Sequence, residues 1–321
     1  MADQTDPLVE LEGHPEAKRI RSRRLNDGVA TLIVDATGLR DAERSQLERE
    51  LHDTASSVEG VSEVRIAMTA SQPHRVLIAV GSGKGGVGKS TVAANLAIAL
   101  SRAGRKVGLV DADVYGPSQP TLLGSHAKPT AENDRLIPVE AQGLRFLSLG
   151  HLVSPGHALA WRGPMATGAL ARLVDADWGD ADTLVVDLPP GTGDVQLSLI
   201  QKSRPDGAVI VSTPQDLSLI DATRAIDLFR KMDVPVLGII ENMAGYICPH
   251  CGEGSDPFGS GGAEAAACEI GVPFLGRLPL SPAIRAASDA GNPPATGEGA
   301  EAKVFADLAK RVIEALETVG R

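Results

Sequence analysis

The stretch Gly83-Lys84-Gly85-Gly86-Val87-Gly88-Lys89-Ser90-Thr91 holds the most specific chemistry in the chain. It fits G-x-x-x-x-G-K-[ST], a loop whose glycines let backbone N–H groups turn onto a polyphosphate. Lys89 would reach the β- and γ-phosphates, and the Ser90 hydroxyl would ligate Mg²⁺. The apolar run at 76–80 predicts a buried strand before the loop, and residues 92–100 predict a helix after it. That helix would add its positive N-terminal end to the anion site. Strand, loop and helix in this order exclude a chance glycine-rich turn.

Acidic residues close two further strands. Leu109-Val110-Asp111-Ala112-Asp113 ends in two carboxylates, and Leu184-Val185-Val186-Asp187 ends in one. At the carboxyl edge of a sheet such acids can organise Mg²⁺ or an attacking water. Asp187 would hold a magnesium-bound water, and Asp113 either serves the same chemistry or caps a helix. After Asp187 comes Leu188-Pro189-Pro190-Gly191-Thr192-Gly193-Asp194, a loop stiffened by two prolines, in which Gly191 can offer its N–H to a γ-phosphate. Asn242 ends another apolar strand, as a base-recognition candidate or a strand-end cap. Gln215 and Asp216, after Thr213-Pro214, open a further helix.

Cys248-Pro249-His250-Cys251 has the C-x₂-C spacing at which two thiolates ligate one metal centre. A zinc ribbon needs a second such pair, and the third cysteine, Cys268, falls in a helix-like run and reads as core. Two thiolates are half of a four-ligand site, which a symmetric homodimer completes on its two-fold axis. A bridging [4Fe–4S] cluster, a bridging Zn²⁺ and a redox pair are the three readings.

The elements that must position these residues follow a regular alternation. Strands are predicted at 75–81, 106–111, 145–149, 183–187, 207–213, 236–241 and 273–277, with helices between them, including 89–102, 216–231 and 261–270. Continuous apolar strands suit a parallel sheet covered on both faces. The fold class is α/β, a doubly wound, mostly parallel sheet of P-loop NTPase type, preceded by a small α+β domain. In the first 70 residues, 17–25 pairs with 29–34 across Asn26-Asp27-Gly28, 41–56 is a helix and 61–68 a strand. Residues 70–74 are the linker, and 71–321 form the ATPase domain. Residues 295–302 read as a surface loop. Residues 303–319 form an amphipathic helix, with Phe305, Leu308, Val312 and Leu316 on the face that docks onto the sheet.

Composition narrows the partners. The 321 residues carry a formal net charge of −10, which argues against a nucleic-acid binder. The basic run at 18–24 reads as a charged strand face or a flexible tail rather than a nucleic-acid arm. No apolar run of spanning length appears, and residues 1–4 lack signal-peptide features, so the expected location is cytoplasmic, without a membrane. Aromatic residues are only 3%, so the core must be aliphatic.

The second lysine, Lys84, makes the loop resemble the deviant P-loop ATPases, the group that includes MinD and ParA. The resemblance implies that Lys84 reaches across a homodimer interface to the partner's nucleotide, and that Asn242 contacts the adenine. Asp111-Ala112-Asp113-Val114-Tyr115-Gly116-Pro117-Ser118, the loop from Asp187 to Asp194 and the cysteine pair match the Mrp/ApbC family of iron–sulfur cluster carriers over about 75–318. That implies a switch I role for Asp113, with Lys84, Lys89, Asp113 and Asp187 as the catalytic set. ATP and Mg²⁺ would be the cofactors, and a labile [4Fe–4S] cluster would pass from assembly scaffolds to apo-protein clients. The N-terminal unit resembles a MIP18-like domain with a shortened first helix. A MinD/ParA-type positioning ATPase and a cluster-bridged electron-transfer reductase are the alternatives.

Overall fold

The computed structural model describes residues 7–37, 39, 41–69, 75–152, 163–248 and 250–320. The terminal residues 1–4, the linker at 70–74, Pro249 and the side chain of Asp216 lie outside the described residues. The chain divides into two compact units, 1–74 and 75–321.

The first unit holds short 3-10 turns at Val9–Gly13 and Ala17–Arg19, then β1 (Ile20–Asn26), β2 (Val29–Asp35), α1 (Asp41–Ser56) and β3 (Glu63–Thr69). β1 and β2 form an antiparallel hairpin, and α1 crosses over to place β3 parallel to β2. Leu47, Leu51 and Ala55 of α1 meet Ala30, Leu32 and Val34 of β2 in one core, which Leu8 and Leu11 complete. The first turn of the unit is thus short yet still packs. Residues 17–19 are a turn rather than strand, so the hairpin starts at Ile20. Three of the five cations in the basic run are paired locally: Arg19 with Glu16, Arg21 with Asp35 and Arg23 with Glu12.

The second unit continues with β4 (Val76–Gly81), α2 (Lys89–Arg102), β5 (Val107–Asp111), α3 (Gln119–Leu122), β6 (Thr130–Glu132), β7 (Arg135–Ile137), β8 (Val139–Ala141) and β9 (Leu144–Ser148). Next come α4 (Gly163–Val174), β10 (Thr183–Asp187), α5 (Asp194–Ser203), β11 (Gly207–Ser212), α6 (Asp216–Lys231) and β12 (Val236–Glu241). The chain ends with β13 (Tyr246–Ile247), β14 (Gly254–Ser255), α7 (Gly262–Ile270), β15 (Phe274–Arg277), α8 (Pro282–Asp289) and α9 (Ala300–Val319). Eight strands make one sheet in the order β15-β12-β11-β4-β10-β5-β9-β8, parallel throughout except for the edge pair β8–β9. The predicted strands recur within a residue or two, while β8 and the small hairpins β6–β7 and β13–β14 are additions.

Both faces of the sheet are covered. Leu96 and Leu100 of α2 and Phe305, Leu308 and Val312 of α9 fill one layer. Leu170 and Leu173 of α4, Leu199 of α5 and Phe229 of α6 fill the other. The predicted surface loop at 295–302 holds for the exposed residues 296–299 and is corrected at its ends: Ala295 is buried, its N–H donating to Asn95 Oδ1, and α9 begins at Ala300. Cys268 is a second correction. Ala263 and Ala267 set the buried stripe of α7, and Cys268, one position round the helix, faces solvent.

Candidate nucleotide and cysteine sites

The central strand β4 delivers the loop at 82–88 to the carboxyl edge of the sheet. Two glycines there are required by contact. A Cβ on Gly83 would fall 2.1 Å from the Asp221 backbone of α6. A Cβ on Gly88, whose φ is +81°, would fall 2.2 Å from Asn242 Nδ2. The loop is therefore seated between α6 and the end of β12. The N–H groups of Gly85, Gly86, Val87 and Gly88 donate to no acceptor among the described residues, and α2 starts directly after them. Such a row of free donors at a helix N-terminus fits a polyphosphate.

Lys89, the first residue of α2, is buried and points into the acids. Its Nζ donates to Asp187 Oδ1 at 2.5 Å, lies 3.6 Å from Asp113 Oδ2 and 3.3 Å from Ser90 Oγ. Burial alone lowers the affinity of Lys89 for its proton, but Asp187, Asp113 and Asp111 outweigh it and hold the pKa above the ordinary lysine value. The acids meet because the register of the sheet sets Asp187 of β10 opposite Asp111 of β5. Asp111 is pushed up to about 7, by burial first and by the Asp187 charge second. Its Oδ2 accepts the Gln119 N–H at 3.1 Å and the Ser148 hydroxyl at 2.8 Å, and its Oδ1 accepts the Asp113 N–H at 3.2 Å. Asp113 also caps its own turn, with Oδ1 accepting the N–H groups of Tyr115 and Gly116.

Gln119 joins these acids although no motif marks it. Its buried amide Nε2 donates to Asp187 Oδ2 at 2.9 Å and to the Ser90 carbonyl at 3.0 Å, while Oε1 is buried without a partner. It links the loop after β5 to β10 and to α2. Its signal was its place, directly after Gly116-Pro117-Ser118. The oxygen-rich set of Ser90, Asp113 and Asp187 suits a hard cation such as Mg²⁺. The Lys89 ammonium takes the central position among those acids.

Other predicted residues sit at the same edge. Lys84 is half-buried and makes no ion pair with a described residue. Its carbonyl accepts the Ser82 hydroxyl. The Gly191 N–H donates to the Ser82 carbonyl at 2.9 Å, so reaching a phosphate would require the loop at 188–193 to shift. Thr91 lies in the first turn of α2. Asn242 Nδ2 donates to the Val87 carbonyl at 2.8 Å, and Oδ1 accepts the Met243 N–H at 3.0 Å, so this side chain braces the loop. Gln215 precedes α6 in an extended conformation without a side-chain capping bond.

Two strands from β4, β12 leads into the hairpin β13–β14, whose tip carries the cysteines. The Cys248 N–H donates to the Glu253 carbonyl at 3.0 Å and the Gly252 N–H to the Cys248 carbonyl at 2.9 Å, closing a tight turn around the pair. Backbone N–H groups of Cys251 and then His250 donate to the Cys248 sulfur and lower its pKa, so the turn favours a thiolate. Cys251 is exposed, its thiol donating to Glu253 Oε2 at 3.8 Å. Among the described residues, no group of three or more His, Cys, Asp or Glu is placed to hold a metal ion by itself.

The central phosphate-binding loop, the acids on neighbouring strand ends and the sheet order define a P-loop NTPase. A family model described as ParA, NUBPL iron-transfer P-loop NTPase, matches residues 74–313, well over half of the chain, and the protein belongs to that family. It is 48% identical over 286 residues to a Deinococcus radiodurans protein named iron-sulfur cluster carrier protein, covering 85% of this chain and 81% of that one. It is 46% identical to an Arabidopsis thaliana protein named iron-sulfur protein required for NADH dehydrogenase, mitochondrial, over 85% of this chain and 90% of that one. Among solved structures, a nucleotide-binding protein from Archaeoglobus fulgidus in complex with ADP aligns with a TM-score of 0.60 at 40% identity, covering 68% of this chain and 86% of that chain. The cell division ATPase MinD of Pyrococcus furiosus aligns with a TM-score of 0.57 at 25% identity, covering 74% of this chain and 98% of that chain.

Proposed function

We propose that this protein is an ATP-dependent carrier that holds a labile [4Fe–4S] cluster between two copies of the chain and hands it to apo-proteins in the cytoplasm. The observation that carries the reading is the tight turn that bears both Cys248 and Cys251, on the same sheet edge as the phosphate loop. Two thiolates per chain supply half of the ligands a cluster needs, and a two-fold axis supplies the rest. Exposed Tyr115, Ile220, Ile247 and Phe258 are apolar side chains that a partner copy would cover.

The nucleotide would be MgATP, held by residues 83–91 with Lys84 reaching the partner's phosphates and Asn242 beside the base. Bound phosphates would draw Lys89 away from Asp187. Ser90 and Asp187 would then be free to hold Mg²⁺ and its water, which supplies charge neutralisation, while Asp113 orients the attacking water and Gly191 follows the γ-phosphate. Hydrolysis would return Lys89 to the acids and relax the loop after Asp187. The first unit, with its β-β-α-β order, is read as a MIP18-like domain. A positioning ATPase leaves the cysteine turn unexplained, and the family match favours transfer over electron donation.

The test is anaerobic reconstitution with iron and sulfide, comparing the unaltered chain with the double variant Cys248→Ala, Cys251→Ala. A visible thiolate-to-iron band and one cluster per two chains, both lost in the variant, are expected. A colourless protein, or equal iron in both forms, refutes the reading.

A further inference from the structure

Glu241 ends β12 with a fully buried carboxylate that the nucleotide chemistry does not use. Its Oε2 accepts the Gly261 N–H at 3.0 Å and Arg277 Nε at 2.8 Å, and its Oε1 accepts the Ala263 N–H at 2.8 Å. Gly261 and Ala263 open α7, so the carboxylate lies against the positive end of a helix. Arg277 is itself fixed by a bond to Glu264 and by its place over the Phe274 ring. A buried carboxylate is costly, and an apolar residue of the same size often serves stability as well or better. Three directed bonds orient what an apolar residue would only cover.

What they orient is the far end of the cysteine excursion. The chain leaves β12 at Asn242, runs through β13, Cys248, Cys251 and β14, and returns to the sheet at Gly261. The near end is held by the backbone, with Leu278 donating to the Glu241 carbonyl and Ala244 to the Leu278 carbonyl. The residue adjacent to Glu241 is Asn242, whose amide holds the Val87 carbonyl of the phosphate loop. One strand end therefore grips the phosphate loop with one side chain and the return limb of the cysteine hairpin with the next.

We infer that Glu241 is a positioning residue that passes the nucleotide state of the phosphate loop to Cys248 and Cys251. Any shift of the Val87 carbonyl as N–H groups close on phosphate pulls Asn242, and the rigid carboxylate clamp transmits the pull to residues 246–261. The biological sense of this coupling rests on the carrier reading above, but its test needs no cluster.

The experiment uses the metal-free full chain carrying Cys268→Ser, so that N-ethylmaleimide reports only on Cys248 and Cys251. A non-hydrolysable ATP analogue with Mg²⁺ is expected to change the labelling rate about fivefold or more, the lower end of common coupling strengths. Glu241→Gln should still bind the analogue but lose the response to it. A purely structural role would alter the labelling rate with and without nucleotide alike and leave their ratio intact, which would overturn the inference, as would an unaltered chain whose labelling ignores nucleotide. If Glu241→Gln does not fold, hydrogen exchange in the unsubstituted chain decides. The Gly261 and Ala263 amides should change protection when the analogue binds, and unchanged protection overturns the inference. Failure of the carrier reading would show separately, as a colourless protein in reconstitution.

Discussion

Lys89→Met removes a charge from the most concentrated electrostatic site in the molecule at nearly constant volume. Without nucleotide, the Lys89 ammonium is the counter-ion of Asp187, at 2.5 Å, and lies within 3.6 Å of Asp113. Lys89 is 5% exposed and Asp187 0%. Removing one member of such a buried pair costs about 3–5 kcal/mol, because the other charge is left unpaired. The deficit must depend on pH. Asp111 titrates at about 7 in the fold against an ordinary value of 3.8, so the native state keeps a proton that the unfolded chain releases. Its contribution is fully present below about pH 4 and is lost as the pH rises through about 7. With the lysine charge gone Asp111 holds its proton still more strongly, and the window moves upward. Each pH unit within it is worth about 1.4 kcal/mol per proton.

The assay is urea unfolding without nucleotide at pH 8 and pH 6, followed by tryptophan fluorescence. Trp161 and Trp178 both belong to the second unit, so the signal reports that unit alone. Lys89→Met should fall about 3–5 kcal/mol below the unaltered chain at pH 8, and the gap should shrink by about 1 kcal/mol at pH 6, because the unaltered chain gains part of the same proton over that range. A variant as stable as the parent at pH 8, or a gap that ignores pH, would refute the view that Lys89 neutralises the acid cluster in the nucleotide-free protein.

Gln119→Leu removes the amide bonds to Asp187 and Ser90, and should lower kcat for ATP hydrolysis about tenfold while leaving KM within about twofold. An equal loss in KM would place Gln119 in ground-state binding instead. Gly83→Ala drives a Cβ into the Asp221 backbone and should cost about 1–3 kcal/mol in denaturant unfolding together with most nucleotide affinity in a fluorescent-ATP titration. Unchanged binding would mean that the loop is not seated on α6 as described.

Local patterns carried much of the fold. β10 and β12 are uninterrupted apolar runs ending in an acid, and their limits read directly from the residues. α2 begins at the lysine that the phosphate loop demands, and α6 where Thr213-Pro214 stops the preceding strand. What did not read were pairings with no local period. Ser148 reaches Asp111 across 37 positions and Gln119 reaches Asp187 across 68, so neither shows until the sheet order sets β5 between β10 and β9. The two-residue strands β13 and β14 are too short for alternation to register, and they exist because backbone bonds close the cysteine turn. Cys268 shows the complementary failure, since membership in a helix is legible while its phase depends on which face meets the sheet.

The same sheet order explains why a phosphate loop and a cysteine turn can answer each other. Side chains at parallel strand ends point into loops that share one edge, and β12 lies only two strands from β4. Direct contact across that gap is made by the loops: Asn242 meets Val87 and Gly88, and Asp221 of α6 meets Gly83. The interior around them is close-packed, and packed elements tend to move between discrete arrangements rather than deform gradually. Phosphate binding at residues 83–91 would therefore have two stiff exits, one into α6 and one into the strand end that carries Glu241. The second leads directly into the cysteine hairpin, and the first reaches it indirectly, because α6 packs against α7, which follows the hairpin in the chain. A nucleotide effect on Cys248 that survived loss of the Glu241 clamp would have to travel through α6, and hydrogen exchange along α6 would reveal it.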